Sequence, residues 1–510
     1  MKSPSRVASA QAATRDLKEA KSTPLEKLRE FLETEGMRSK TGPRSFAGFE
    51  RELHERMMEA ERDIVAGEMA QLDVDADAVV IAGKVHRRVL RQSQTYMTSA
   101  GEVVVERTLY KDRKDEDGRC VSPMELSLGI IGDFWTPRAA QQALWVVTQM
   151  TPRKSAELFE RLGSMTPSKS SLGRLPKVLA ERWESNREAF EAALRDGLEI
   201  PERAVSIAVS LDGVLVPIDG ANNATDVRAK AAAEGWVSKG PAGYREASCA
   251  TVSFCDEKGD LLGAIRMARA PETKKATLKQ MLTAETSAIL ARRPDLKLVK
   301  VADGAADNWA YLSSDALPSG EEAVDFFHAS EHLHAAIATV YGDGTHETQF
   351  RYATLRDTLR DEDGGIDKVI RALKHLASKH PRKTSLATEL AYFRKHRKRM
   401  RYMELQSKGL MIGSGVVEAA CKTLVTQRLK QSGMRWSVSG AQAILTPRGW
   451  DHSDRFDDAW ALIAATFEVE VTVLANVIAF KPAPAPKKSR VKVSVSVHDA
   501  TQRAGRVVRS

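Results

Sequence analysis

Ile207-Ala-Val-Ser-Leu-Asp212 is an apolar, strand-forming run closed by an aspartate and followed by Gly213. Near-continuous apolar residues suit a strand buried on both faces, as in a parallel sheet. Lys297-Leu-Val-Lys-Val-Ala-Asp303, followed by Gly304, has the same form. An Asp-Gly pair commonly marks a turn, so either run alone reads as a strand end. Two such ends also fit the rule that ligands bind beyond the carboxyl ends of strands in α/β sheets.

Outward from these runs, 204–217, 247–255 and 261–268 read as strands, and Asp256-Glu-Lys-Gly259 as the hairpin turn between the last two. Helical patterning at 274–293 precedes the strand at 297–302. A short helix at 306–312 and a strand at 323–327 follow. Strand, hairpin, helix, strand, helix, strand is the order of an RNase H-like core. From His332 to about Lys408 the pattern is helical throughout, and then comes Gly413-Ser-Gly-Val-Val-Glu-Ala-Ala-Cys-Lys422. The predicted fold is an α/β RNase H-like core, 201–331 and 411–450, interrupted by an all-helical insertion, 332–410.

The flanks are expected to be a helical N-terminal region at 1–80, a small β-ribbon module at 81–125, and a helical region at 126–200. A C-terminal helix is expected at 451–480 and a disordered basic tail at 481–510. Ala156-Glu-Leu-Phe-Glu-Arg-Leu162 reads as an amphipathic helix. Thr166-Pro167 reads as the cap and first position of a second helix bearing Lys169 and Arg174. This spacing matches a helix-turn-helix, although many helical hairpins share it.

The net charge is +9 and the pI about 9.2, which permits nucleic-acid binding. Residues 481–510 carry eight Lys/Arg against one Asp, so the tail holds most of that excess. A tail of that composition predicts salt-dependent, sequence-independent affinity. The four cysteines form no CxxC pair, so no zinc knuckle is written here. Apolar runs stay well short of a membrane span. The N-terminus lacks the apolar core of a signal peptide, and a cytoplasmic, nucleoid-associated setting is expected.

Asp212, Asp303 and Glu418 together supply three hard oxygen donors, a set that suits Mg²⁺ or Mn²⁺. Two such ions assist in-line displacement at phosphorus. Glu418 has a second reading. With Gly415 as N-cap it is the third residue of a capping box; with Ser414 as N-cap that position falls to Val417. Lys422 shares a helix face with Glu418 and either steers a phosphate or pairs with the glutamate. Lys430, Arg435 and Trp436 could grip a DNA strand by charge and stacking, or Trp436 could be a packed residue at a domain edge. His328-Ala-Ser-Glu331-His332 matches an inverted zinc-peptidase pattern, but a third ligand is wanting and Asp212 and Asp303 would be idle. Asp325 and His328 read instead as supporting residues of the acidic site. Six Lys/Arg at 394–401 are a solvated helix face or a phosphate-contact surface.

Ser210-Leu-Asp-Gly213, Ala302-Asp-Gly-Ala305, Asp325-Phe-Phe-His-Ala-Ser-Glu-His-Leu333, Gly413 to Lys422 and Arg428-Leu-Lys-Gln-Ser-Gly-Met-Arg-Trp436 together resemble bacterial insertion-sequence transposases of the DDE type. The ISKra group, relatives of the Mutator-like enzymes, is the nearest pattern, over about residues 80–450. The resemblance implies that Asp212, Asp303 and Glu418 hold catalytic Mg²⁺ or Mn²⁺, and that Asp325 and His328 are the DxxH element. It also implies cleavage and strand transfer at inverted-repeat ends of double-stranded DNA, by a homo-oligomer assembled on them. The β-ribbon module shows no clear zinc ligands, so no zinc site is carried over. An RNase H-like nuclease without strand transfer, or a domesticated DNA-binding protein, are the rival readings.

Overall fold

The computed structural model describes residues 23–38, 45–112, 114, 118–219, 243–474 and 492–493. The expected basic tail therefore lies, but for two residues, outside the described residues. The protein is mixed α/β, with two five-stranded sheets and many helices. It divides into two compact units: Met1–Val147 with Thr151–Leu175 and Ala464–Ser510, and Thr148–Met150 with Pro176–Ile463.

The first unit holds an antiparallel sheet of β1 (Ala78–Ile81), β2 (Lys84–Thr98), β3 (Gly101–Lys111), β9 (Thr472–Leu474) and β10 (Lys492–Val493), in the order β10-β9-β1-β2-β3. Ser99-Ala100 turns the β2–β3 hairpin, and Gly101 takes a φ of 119° that a side chain would resist. Val103 and Val105 face inward with Tyr96, Met124 and Met69, the last from the Phe46–Gln71 helix. The buried Glu125 carboxylate accepts from Tyr96 Oη at 2.7 Å and from Arg107. The C-terminal helix expected at 451–480, of which 475–480 lie outside the described residues, stops at Ala464. Beyond it, alternation in Glu468-Val-Glu-Val-Thr472 favours extended chain, and β9 pairs with β1.

Helices Pro152–Leu162 and Lys169–Ser185 occupy the expected helix-turn-helix positions. Gly163, at φ 69°, ends the first. The second starts later than Thr166-Pro167 predicts: Ser168 Oγ accepts from Ser171 N at 3.0 Å, which caps a helix beginning at Lys169. The connection 163–168 is longer than the three or four residues of a tight helix-turn-helix. Leu172, Leu175 and Leu179 are buried, while Lys169 and Arg174 face solvent.

The second unit is built on β4 (Ser206–Pro217), β5 (Tyr244–Cys255), β6 (Leu261–Arg269), β7 (Lys297–Ala302) and β8 (Glu321–Val324), in the order β6-β5-β4-β7-β8. β4, β5 and β6 are antiparallel neighbours, and β7 and β8 add parallel to β4. The β5–β6 turn has Gly259 at φ 82°. β4 does not end at Asp212, as the Asp-Gly pair suggests. It runs on to Pro217, with Asp212 opposite Cys249 of β5. Long antiparallel pairing with β5 carries the strand through Gly213 and overrides the turn preference.

The helices Phe326–Tyr341, His346–Asp361, Gly365–Lys379 and Thr384–His396 follow β8. Their residues Leu333, Ile337, Leu359, Leu373, Leu390 and Phe393 share one core with Ile207, Val209, Val252 and Leu298 of the sheet. That shared core packs the helical segment against the sheet.

Glu285 and Arg455 form a buried bidentate pair, at 2.8 and 3.4 Å. Glu285→Ala leaves a buried guanidinium without its counter-charge. It is expected to destabilise the protein by about 3–5 kcal/mol, read as a shifted urea midpoint at constant slope.

Candidate active site

β4 and β7 run parallel, with Ser210 opposite Val301 at the end of their pairing. Two residues further along stand Asp212, still within β4, and Asp303, just past the end of β7, close enough for the Asp303 charge to act on the Asp212 carboxyl. Asp212 is half-buried and accepts from Gly213 N at 2.7 Å through Oδ1. Burial is the largest influence on its carboxyl and raises its pKa. The Gly213 N–H opposes that, the neighbouring Asp303 charge adds to it, and Lys275 pulls the other way.

Asp303 is braced by the chain that follows it. Its Oδ1 accepts from Ala305 N at 3.0 Å and from Asn308 Nδ2 at 3.3 Å, and its carbonyl accepts from Trp309 Nε1 at 2.6 Å. Asn308 Nδ2 also lies 3.4 Å from the Leu211 carbonyl and so ties the two strand ends together. Lys275 Nζ reaches Asn308 Oδ1 at 3.3 Å and Glu246 at 2.8 Å. Lys274 and Lys275 both hold positive φ, 54° and 55°, a costly backbone for residues with side chains. That turn places the lysine beside the acidic pair. A Cβ at Gly213 would fall 2.3 Å from the Glu246 carboxylate, so any larger residue would push that exposed side chain off its Lys275 contact.

Glu418 lies on the helix Gly415–Ala420, whose N-cap is Ser414. Glu418 is thus the fourth helical residue, which removes the capping-box reading. Its Oε1 accepts from Ser414 Oγ at 2.9 Å rather than pairing with Lys422. Three residues on, Cys421 Sγ donates to Asp212 Oδ2 at 3.7 Å. Contact with Cys249, burial and the Asp212 charge push the Cys421 thiol up, so it stays S–H. This contact puts the Glu418 helix against Asp212, because residues three apart share a helix face. From Cys421 to Thr426 the helix widens into a π turn, a form frequent at functional sites. Buried Arg448 steadies it by donating to the Thr423 and Leu424 carbonyls.

Asp325 is wholly buried at the N-cap of the Phe326–Tyr341 helix. Its Oδ1 accepts from His328 N at 2.5 Å, and its Oδ2 accepts from Ser414 N. Phe326 N adds a bond to the Ile412 carbonyl at 3.0 Å. One carboxylate thereby caps one helix and sets where the Glu418 helix begins. Gly413 leaves room for this, as a Cβ would lie 3.1 Å from the Phe327 ring.

His328 and His332 meet edge-to-face, with ring centroids 4.8 Å apart. His332 Nδ1 meets Glu389 at 2.6 Å, and its ring stacks on Tyr392 at 3.8 Å. Among the described residues, no three His, Cys, Asp or Glu side chains converge as a metal cage. The zinc-peptidase pattern at His328 and His332 therefore lacks its third ligand. The same fact limits the acidic set. Asp212 and Asp303, oxygen donors that repel each other, fit a hard divalent cation, whereas Glu418 would have to leave Ser414 to join them.

Lys422, Lys430 and Arg435 are exposed. Trp436 is held as part of the fold. Its indole N–H donates to the Leu429 carbonyl at 3.1 Å, Arg428 lies over its ring at 5.1 Å, and its backbone pairs with Ile218. Of its two sequence readings, packing accounts for these contacts. Lys275, Asn308, Glu389, Tyr392 and Cys421 were not singled out by sequence as parts of the site. Asn308 alone has a local signal, five residues after Asp303 in the next helix.

No protein-family model matches the chain, and no curated protein matches it in sequence. Among solved structures it is similar to the Drosophila P element transposase strand transfer complex, at 13% identity over 65% of this chain and 81% of that one, with a TM-score of 0.24. A likeness that distant decides neither fold nor chemistry. Among the described residues, no helix is long and apolar enough to cross a membrane.

Proposed function

We propose that the chain is a DDE-type transposase of the ISKra kind, a metal-dependent polynucleotidyl transferase. The observation that carries this reading is the Asp212–Asp303 pair on adjacent parallel strands, with Cys421 of the Glu418 helix against Asp212. The strand order supports an RNase H-like core. Counted within the sheet it is 3-2-1-4-5, three antiparallel strands and then two parallel ones, with a helical insertion before the glutamate.

In this reading Asp212 and Asp303 hold Mg²⁺ or Mn²⁺, and Glu418 completes the set by turning from Ser414. The bound cations would lower the pKa of an attacking water or 3′-hydroxyl and stabilise the leaving oxygen. Asp325 and His328 position the Glu418 helix through the shared cap. Lys422, Lys430 and Arg435 meet phosphates beside the site, and the 394–401 basic run offers a further backbone surface. The partners are the element's inverted-repeat ends and target DNA, bound by a homo-oligomer.

The test is a labelled end substrate with target DNA in Mg²⁺ and in Mn²⁺. Joined products are the expected result. Cleavage without joining would make the protein a nuclease, and neither product in either metal would overturn the enzyme reading.

End recognition is assigned to the Lys169–Ser185 helix, because Lys169 and Arg174 are exposed above a buried leucine face. Substituting both by Ala should weaken end binding and flatten the slope of log affinity against log salt by about 2. An unchanged slope in gel-shift titrations would remove this helix from the interface.

A further inference from the structure

Tyr392 belongs to the helix Thr384–His396, far along the chain from both aspartates. Its ring lies close against the backbone that directly follows Asp303. A Cβ on Gly304 would fall 2.6 Å from ring carbon Cε2 and 3.3 Å from the hydroxyl oxygen. Only glycine at 304 allows so close an approach. The ring is fixed from several sides. His332 stacks on it at 3.8 Å, His396 tilts against it at 4.9 Å, and Phe393 meets it edge-on at 5.6 Å. His332 is itself held by Glu389 at 2.6 Å.

The Tyr392 hydroxyl is buried and has no hydrogen-bond partner. Burying a hydroxyl without an acceptor is unfavourable, and phenylalanine would make the same ring contacts without that penalty. Packing therefore explains the ring but not the oxygen. The surroundings also lack an acceptor within reach although three carboxylates, Asp303, Asp325 and Glu389, stand near enough to act on it electrostatically. All three already have assigned donors: Asp303 takes Ala305 N and Asn308 Nδ2, Asp325 takes His328 N and Ser414 N, and Glu389 takes His332. A donor immobilised in this way beside Asp303 suits a ligand that brings its own acceptor oxygen to that carboxylate.

We propose that the Tyr392 hydroxyl donates a hydrogen bond to a non-bridging oxygen of the phosphodiester bound at Asp303, with His332 and Glu389 as positioning residues for its ring. The inference rests on the acidic pair being the phosphoryl-transfer site. It gives the helical segment a direct part in substrate binding, because only that segment supplies the hydroxyl. The bond involves no covalent change at tyrosine: the O–H stays intact and stabilises charge on the phosphate.

The experiment compares full-length wild type, Tyr392→Phe and Asp303→Asn on the labelled end substrate in Mg²⁺, with thermal melts and gel-shift titrations of each protein. Tyr392→Phe should cut about 10²-fold more slowly at saturating DNA, bind the end DNA as tightly as wild type, and melt at the same or a higher temperature. A purely structural tyrosine would give the opposite signature, a lower melting temperature with an unchanged rate per folded molecule. Cleavage by Tyr392→Phe within threefold of wild type overturns the proposal. A lower melting temperature overturns it too, since the hydroxyl would then have a partner in the DNA-free protein. The parallel variant separates the two levels. If Asp303→Asn still cuts, the acidic-pair reading falls and takes this one with it. If Asp303→Asn is inactive while Tyr392→Phe cuts normally, only the assignment of Tyr392 falls.

Discussion

Asp212→Asn and Asp303→Asn are each expected to lower end cleavage and strand transfer by at least about 10³-fold, the equivalent of about 4 kcal/mol of lost transition-state stabilisation. A neutral amide cannot supply the charge that a divalent cation needs from the pair. The fold should survive both changes, and for Asp212 the direction of the stability change follows from its surroundings. Burial and the Asp303 charge raise the Asp212 carboxyl above its ordinary value. A raised acid favours folding when protonated, and that contribution is lost as pH rises through the folded-state value. Asparagine has no charge to lose. The melting temperature of Asp212→Asn should therefore gain on wild type from acid to neutral pH. Adding Mg²⁺ should raise the melting temperature of wild type and not of the variant. An active Asp212→Asn, or Mg²⁺ stabilisation equal in both proteins, would remove Asp212 from the site.

Glu418→Gln separates a ligand from a structural residue. The side chain is exposed, stands at the fourth helical position and accepts one hydrogen bond from Ser414 Oγ. Glutamine keeps an acceptor for that bond, so the variant should lose no more than about 1 kcal/mol of stability. Cleavage should fall by at least about 10³-fold, since the carboxylate charge is gone. The contrast between a small melting shift and a large rate loss is the signature. Near wild-type cutting in both Mg²⁺ and Mn²⁺ would show that Glu418 stays with Ser414 throughout the reaction and is no ligand.

Much of the second sheet was legible because its signals are local. The runs 207–211 and 298–302 are apolar but for Ser210 and Lys300, which favours burial, and Asp256-Glu-Lys-Gly259 has the turn residue that φ 82° at Gly259 demands. Where a local preference met long-range pairing, it lost. Asp212-Gly213 reads as a turn, but pairing with Cys249 and Ser248 of β5 carries the strand through it. A competing local cap decides another case: Thr166-Pro167 reads as a helix start, yet Ser168 makes the capping bond three residues on. The alternating residues after 467, within the expected C-terminal helix, form an extended segment ending in β9.

The sequence by itself determined the two largely apolar strand runs that each lead into an aspartate, the helical stretch before Glu418, and the types of residue available for the chemistry. Those follow from side-chain periodicity and local sterics, which act within a few residues. Only the tertiary structure decided that Ser414 starts the Glu418 helix with its N–H on Asp325, that Cys421 meets Asp212, and that Tyr392 lies on Gly304. Each contact joins residues far apart in the chain. None of them leaves a local pattern, because it is the packing of the helical segment and the Glu418 helix against the sheet that brings the partners together.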